Sequence, residues 1–202
     1  MNDHDLSHLF RAIAAGDSKT ARQLLDAKPA LAQEPIGSDS GSTRSAPFFL
    51  EDIRRAVYAG DTPLHIAAAA YQLELVRELI DLGADISARN RRGAEPLHSA
   101  AVGALGEAFW KPAAQAAVIE YLIEKGANAN AVDMSGVTPL HRAVRTRSAA
   151  AVEALLVNGA DPTRPNKSGS TPRHLASITS GRSGSGSTAA REQQVIIEQL
   201  LA

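Results

Sequence analysis

The chain of 202 residues is predicted to be an all-α solenoid of stacked helix-turn-helix units joined by β-turn or hairpin loops. Three observations predict it. Thirty-eight residues are alanine and only 4% are aromatic, a balance that favours helices over strands. A four-residue corner recurs as Thr62-Pro63-Leu64-His65, Glu95-Pro96-Leu97-His98, Thr138-Pro139-Leu140-His141 and Thr171-Pro172-Arg173-His174, with its prolines 33, 43 and 33 residues apart. A second marker keeps the same rhythm: Gly83-Ala84-Asp85, Gly126-Ala127-Asn128 and Gly159-Ala160-Asp161 are spaced 43 and then 33.

Within each unit the proline sits where a helix begins, because its missing N–H is not needed in the first turn. A helix of small residues follows, as in His65-Ile66-Ala67-Ala68-Ala69-Ala70. The second helix places apolar residues at helical spacing: Leu75, Val76, Leu79 and Ile80 in one unit, Val152, Leu155 and Leu156 in another. Gly83, Gly126 and Gly159 then end it in the left-handed cap position. One such pair cannot bury its apolar face alone, so neighbours must stack. Ten extra residues fall between His98 and Gly126, and twelve more between His174 and the Leu200-Leu201 pair.

Upstream, residues 6–15 and 18–25 predict a further helix pair joined at Gly16-Asp17, a degenerate first repeat with a polar outer face of Asp5, His8 and Arg11. The Gly/Ser-rich stretch 34–43 reads as a mobile loop. Residues 45–57 predict a short extra helix with Leu50, Ile53 and Val57 on one face, and Phe48 and Phe49 as either anchors of the loop, the preferred reading, or a partner contact. The chain is therefore organised as one domain, 1–202. It comprises a capping repeat (4–34), a loop plus short helix (35–56), and repeats over 57–89, 90–132, 133–165 and 166–202, the second and fourth with inserts.

These corners, the Gly-Ala-Asp/Asn marker and the period together resemble an ankyrin-repeat protein, whose unit is about 33 residues of β-turn plus two helices with a T-P-L-H-x-A signature. The resemblance covers 57–202 in four units. Asn90, Asp133 and Asn166 stand three residues before a glycine (Gly93, Gly136, Gly169), as the family pattern asks. Val57 at that position, Glu95 for Thr and Arg173 for Leu depart from it.

Candidate chemistry is limited by composition. Zero cysteine excludes disulfide frameworks, thiolate metal sites and cysteine nucleophiles. His65, His98, His141 and His174 occupy equivalent places, so stacking sets them in a ladder rather than at one point. The resemblance implies that they are structural, bonding the turn and the neighbouring Thr62, Thr138 and Thr171. His4 and His8, four apart, share a helix face but have no evident third ligand, so neither a metal nor any cofactor is expected. The stretch 181–188 is superficially similar to a phosphate loop, but Ser187 stands at the lysine position and a helix precedes it. No catalytic acid, base and nucleophile set converges, and an enzyme is not expected.

Charge is the more informative feature. The net charge is −1 from 21 basic and 22 acidic residues. Yet the turn and first-helix windows 89–101, 132–147 and 163–175 carry +2, +2 and +3, while the second-helix windows 73–86, 115–128 and 149–161 carry −3, −1 and −2. A solenoid basic on its concave face and acidic outside favours an acidic partner. As the resemblance implies, the expected function is protein–protein interaction through that face. Arg89, Arg91, Arg92, Met134, Arg142, Arg145, Arg147 and Lys167 are the expected contacts. Trp110, in the insert, either joins them or folds back over helix ends. The alternative is binding of nucleic acid or another polyanion by the same strip, against which the neutral balance and missing interleaved aromatics stand. Residues 1–10 lack a signal-peptide core, and the apolar stretch 66–70 is far too short for a membrane span. A cytoplasmic monomer is expected.

Overall fold

The computed structural model describes residues 3–37, 48–178 and 188–202. It opens with α1 (Asp3–Ala14) and α2 (Ser18–Ala27). The turn between them uses Gly16, and the Asp17 carboxylate caps α2 by accepting the N–H of Thr20 at 3.0 Å. A 3-10 turn, Pro29–Gln33, follows. The expected helix over 45–57 is corrected: residues 48–57 form a small antiparallel hairpin, β1 (Phe49–Leu50) and β2 (Arg55–Ala56), around a 3-10 turn at Glu51–Ile53. Leu50, Ile53 and Val57 are buried. Their spacing serves a short hairpin as well as a helix. Arg54 at φ 46 reverses the chain, and the Val57 N–H closes the hairpin on the Phe48 carbonyl. Phe48 packs on Phe10 at 6.3 Å between ring centroids, whereas Phe49 is exposed. Most of the expected mobile loop (38–43), and most of the last insert (179–187), lie outside the described residues.

The repeats then run α3 (Pro63–Ala69) and α4 (Leu73–Asp81), α5 (Pro96–Ala100) and α6 (Pro112–Glu124), α7 (Pro139–Arg145) and α8 (Ala149–Val157), α9 (Pro172–Ile178) and α10 (Thr188–Leu200). First helices stack in one row, α1 on α3, α3 on α5, α5 on α7 and α7 on α9. Second helices stack in another, α4 on α6, α6 on α8 and α8 on α10. One continuous core lies between the rows, with Leu9, Phe10, Leu64, Leu79, Leu97, Ile119, Leu140 and Leu155 fully buried. Burying such a face is what single helix pairs cannot do. The ten-residue insert is used twice over. It extends α6 to 13 residues against 9 for α4 and α8, and it makes the long connection over 101–111.

The turns form a second spine. Asn90, Asp133 and Asn166 each accept two backbone N–H groups of their own turn through one side-chain oxygen. Val57 cannot do this. Asp61, fully buried, accepts the N–H of Tyr58 at 2.8 Å, the group whose counterparts Arg91, Met134 and Lys167 bond the preceding turn. Successive turns are joined by Arg91 N–H to the Ala59 carbonyl (2.7 Å), Met134 N–H to Arg92 (2.9 Å) and Lys167 N–H to Ser135 (3.0 Å). The corners therefore line up along one edge.

Each corner is a capping box in the first three repeats: Thr62, Glu95 and Thr138 cap the helix while the histidine three residues on reaches back to the cap's own N–H. At the last corner His174 is exposed, as is Arg173, whose counterparts Leu64, Leu97 and Leu140 are fully buried. Among the described residues no first helix stacks beyond α9, and a charged side chain at that place meets no core.

Candidate functional site

The turns and first helices wall a concave cleft of about 1140 Å³. Three parts of the chain that are distant in sequence enclose it: the hairpin, the tips of the turns with α7, and the insert. Arg54 Nε lies 3.2 Å from a Glu107 oxygen and ties hairpin to insert. Phe109 of the insert stacks on Tyr71 at 6.2 Å, and the Tyr71 hydroxyl donates to the Val102 carbonyl. Burial pushes the Tyr71 phenol well above its ordinary value, so it stays a donor.

Of the residues expected to contact a partner, Arg92, Met134, Arg142, Arg145 and Lys167 line this cleft. Arg92 is exposed, its guanidinium 5.0 Å from the Tyr58 ring centre and its Nη1 donating to the Tyr58 hydroxyl at 3.0 Å. Met134 is 65% exposed. Arg142 donates to Asp133 Oδ2 at 3.0 Å. Burial pushes the Asp133 carboxyl up, but bonds from Arg142, Ser135 and Val137 together outweigh it and hold it below the usual range. Among the described residues no carboxylate pairs with Arg92, Arg145 or Lys167.

The other expected contacts stand outside the lining. Arg89 donates to Glu95 at 2.9 Å and neutralises a buried cap; burial raises the Glu95 carboxyl and Arg89 offsets part of that rise. Arg91 lies over Tyr58 at 5.6 Å. Arg147, at φ 55, turns the chain between α7 and α8. The Trp110 indole N–H is held by Gln115 Oε1 at 2.8 Å, and Gln115, itself buried, donates to the Ala100 carbonyl and accepts from the Ser148 hydroxyl. Trp110 thus covers the start of α6. Arg54, Arg55, Tyr58 and Phe109 belong to the cleft but were not among the expected contacts. The only sequence signal for the first two is an Arg-Arg pair just before the first repeat.

The histidines offer no chemistry to this cleft. His65, His98 and His141 each accept the cap residue's N–H on Nδ1, at 3.1, 3.2 and 3.2 Å. Nε2 therefore carries the proton and donates to a carbonyl of the following repeat: Ala94 (3.0 Å), Val137 (3.0 Å) and Ser170 (2.9 Å). Burial lowers all three, His98 to about 3, so they are neutral. The neighbouring hydroxyls of Thr62 and Thr138 lie 3.0 and 2.7 Å from Nδ1, whereas Thr171 accepts the backbone N–H of His174. At the N-terminus His4 faces Asp5 at 3.8 Å. Among the described residues no three His, Asp or Glu stand where they would hold a metal ion, and no helix is long and apolar enough to cross a membrane.

Comparison with known families agrees with this geometry. Residues 9–109 match the family described as Ankyrin repeats (3 copies), and residues 122–176 match Ankyrin repeats (many copies). The first match begins within α1 and includes all of α2, so it reaches into the helix pair that lacks the four-residue corner. No curated protein matches the chain. Ankyrin repeats generally mediate protein–protein interactions.

Proposed function

Because the chain belongs to the ankyrin-repeat family, we propose that it is a non-catalytic, monomeric, cytoplasmic interaction module that holds a partner protein with an acidic surface in its concave cleft. One observation carries this reading: Arg92, Arg145 and Lys167 are exposed on the cleft wall without a carboxylate partner among the described residues, beside an exposed Met134. Cations gathered in a concavity steer and orient an acidic partner more than they add raw affinity. The methionine adds an adaptable apolar contact. The buried histidines, with both ring nitrogens on backbone, support recognition rather than reaction.

The test is affinity capture from the source cell with the unaltered chain and with a variant carrying Arg92→Glu, Arg145→Glu and Lys167→Glu. The charge-reversed chain is expected to lose its protein partner while melting at the same temperature, since all three positions are exposed. Equal capture by both would overturn the reading. Tight binding of oligonucleotides near physiological salt, weakening steeply as salt rises, would replace it with the polyanion alternative.

A further inference from the structure

Three guanidinium groups on the cleft wall come from three separate parts of the chain: Arg55 from β2, Arg92 from a turn and Arg142 from α7. Two carboxylates stand among them, one meeting Arg55 and one meeting Arg142. Arg55 Nη2 is 3.5 Å from both oxygens of Asp61, but those oxygens already accept the Tyr58 N–H and the Asn90 amide at 2.8 Å each. Arg142 holds Asp133, which also accepts two backbone N–H groups. Arg92 meets only the Tyr58 hydroxyl and ring. Positive charge is therefore in excess here. Burial lowers Arg142, and the charges of Arg55 and Arg92 reach it and lower it further.

A second observation is independent of charge. The Nε of Arg55 is buried and has no hydrogen-bond partner among the described residues. A buried donor left unmade is unfavourable. Nε and one Nη form the edge of arginine that grips an oxyanion with two parallel bonds. A small swing of Arg55 towards the cleft would satisfy both at once.

We infer that Arg55, Arg92 and Arg142 form a phosphate-recognition site, and that the acidic group a bound partner presents there is a phosphorylated serine or threonine. The inference rests on the interaction-module reading and narrows it. A carboxylate brings one charge and is filled by one bidentate arginine, whereas a phosphoryl group brings nearly two charges and three strong acceptor oxygens. Three forks carried by separate elements on the wall of one cleft match the second. All three are arginine rather than lysine, the residue suited to bidentate contacts. Arg145 and Lys167 are placed for acidic residues flanking the phosphorylated one.

The test titrates the full chain with three fluorescein-labelled peptides, Ala-Glu-Ala-X-Ala-Glu-Ala, in which X is phosphoserine, glutamate or serine. The phosphoserine peptide is expected to bind about tenfold more tightly than the glutamate peptide, the gain of one bidentate, charge-assisted contact. Arg55→Lys and Arg92→Lys each keep the charge and lose the fork. Both should abolish that preference, read as the ratio of phosphoserine- to glutamate-peptide affinity, and Arg92, being exposed, tolerates the change without loss of fold. Equal affinity for phosphoserine and glutamate peptides overturns the inference and leaves the acidic-partner reading standing. So does inorganic phosphate binding as tightly as the phosphoserine peptide, which assigns the site to a free anion. Failure of all three peptides to bind also overturns it. The broader reading falls separately, only if the charge-reversed chain captures its protein partner undiminished.

Discussion

The Nε2 of His65 lies 3.0 Å from the carbonyl oxygen of Ala94, one repeat further along, while its Nδ1 accepts the N–H of Thr62 at 3.1 Å. One neutral ring thus caps its own helix and fastens it to the next repeat. His98 and His141 do the same. The corner motif is repeated because each interface among the four corner-bearing repeats carries this bond.

A pH dependence follows. The three folded histidines lie below the ordinary value of about 6.5, His98 at about 3, so between these limits the unfolded chain binds more protons. Their contribution is complete above pH 6.5 and is lost as pH falls. His98 sets a slope of up to about 1.4 kcal/mol per pH unit between these limits, and His65 and His141 act in the same direction. Urea unfolding at pH 7.5, 6 and 5 reads it directly. A flat profile between 6.5 and 5 contradicts this account.

His98→Ala removes the ring that satisfies both the Glu95 N–H and the Val137 carbonyl, leaving two buried groups unpaired. The expected loss is about 2–5 kcal/mol. His174→Ala, at the exposed corner, is expected to change stability by about 0.5 kcal/mol or less. Equal losses in urea melts would mean that the repeated geometry of the corner, rather than its bond to the next repeat, carries the energy.

The period, the paired helices and the aligned corners were legible in the sequence because each is written several times over. The glycine caps were legible too, and Gly83, Gly126 and Gly159 do take positive φ. What was not legible depends on compensation between distant residues. Nothing local says that the Asp61 carboxylate takes the Tyr58 N–H, or that Arg89 pairs with Glu95. The hairpin was misread because its apolar spacing fits a helix. It then hid Arg54 and Arg55, which become cleft residues only when the chain reverses at Arg54.

Gly136 stands at φ 74 with the next turn so close that a Cβ would lie 2.9 Å from the Lys167 nitrogen. Gly136→Ala therefore combines left-handed strain with a clash against backbone that cannot move without loosening the Lys167 to Ser135 bond. The expected loss is about 2–4 kcal/mol. Gly126→Ala meets strain alone, since nothing lies within 4 Å of its Cβ, and should lose about 1–2 kcal/mol. Thermal melts of the two variants separate close approach from strain.

Glu95 holds the place where the other corners carry threonine, and it is the one cap whose charge is buried. Burial raises its carboxyl above the ordinary value of 4.5, against the pull of Arg89. The sign is the reverse of the histidine case: a raised carboxyl favours the folded chain at low pH and opposes it once both states ionise. Glu95→Thr keeps a side-chain oxygen to cap the helix and removes the buried charge, while Arg89 is left exposed to solvent. The variant is expected to be more stable at pH 7 by about 1 kcal/mol, a rise in Tm of about 2–4 °C for a chain of this size. That gain should shrink as pH falls below 4.5, because the glutamate of the unaltered chain is then neutral in both states. A gain that persists at pH 4 would locate the effect in packing rather than in charge, and a loss at pH 7 would show that Arg89 and Glu95 hold the turn as a pair.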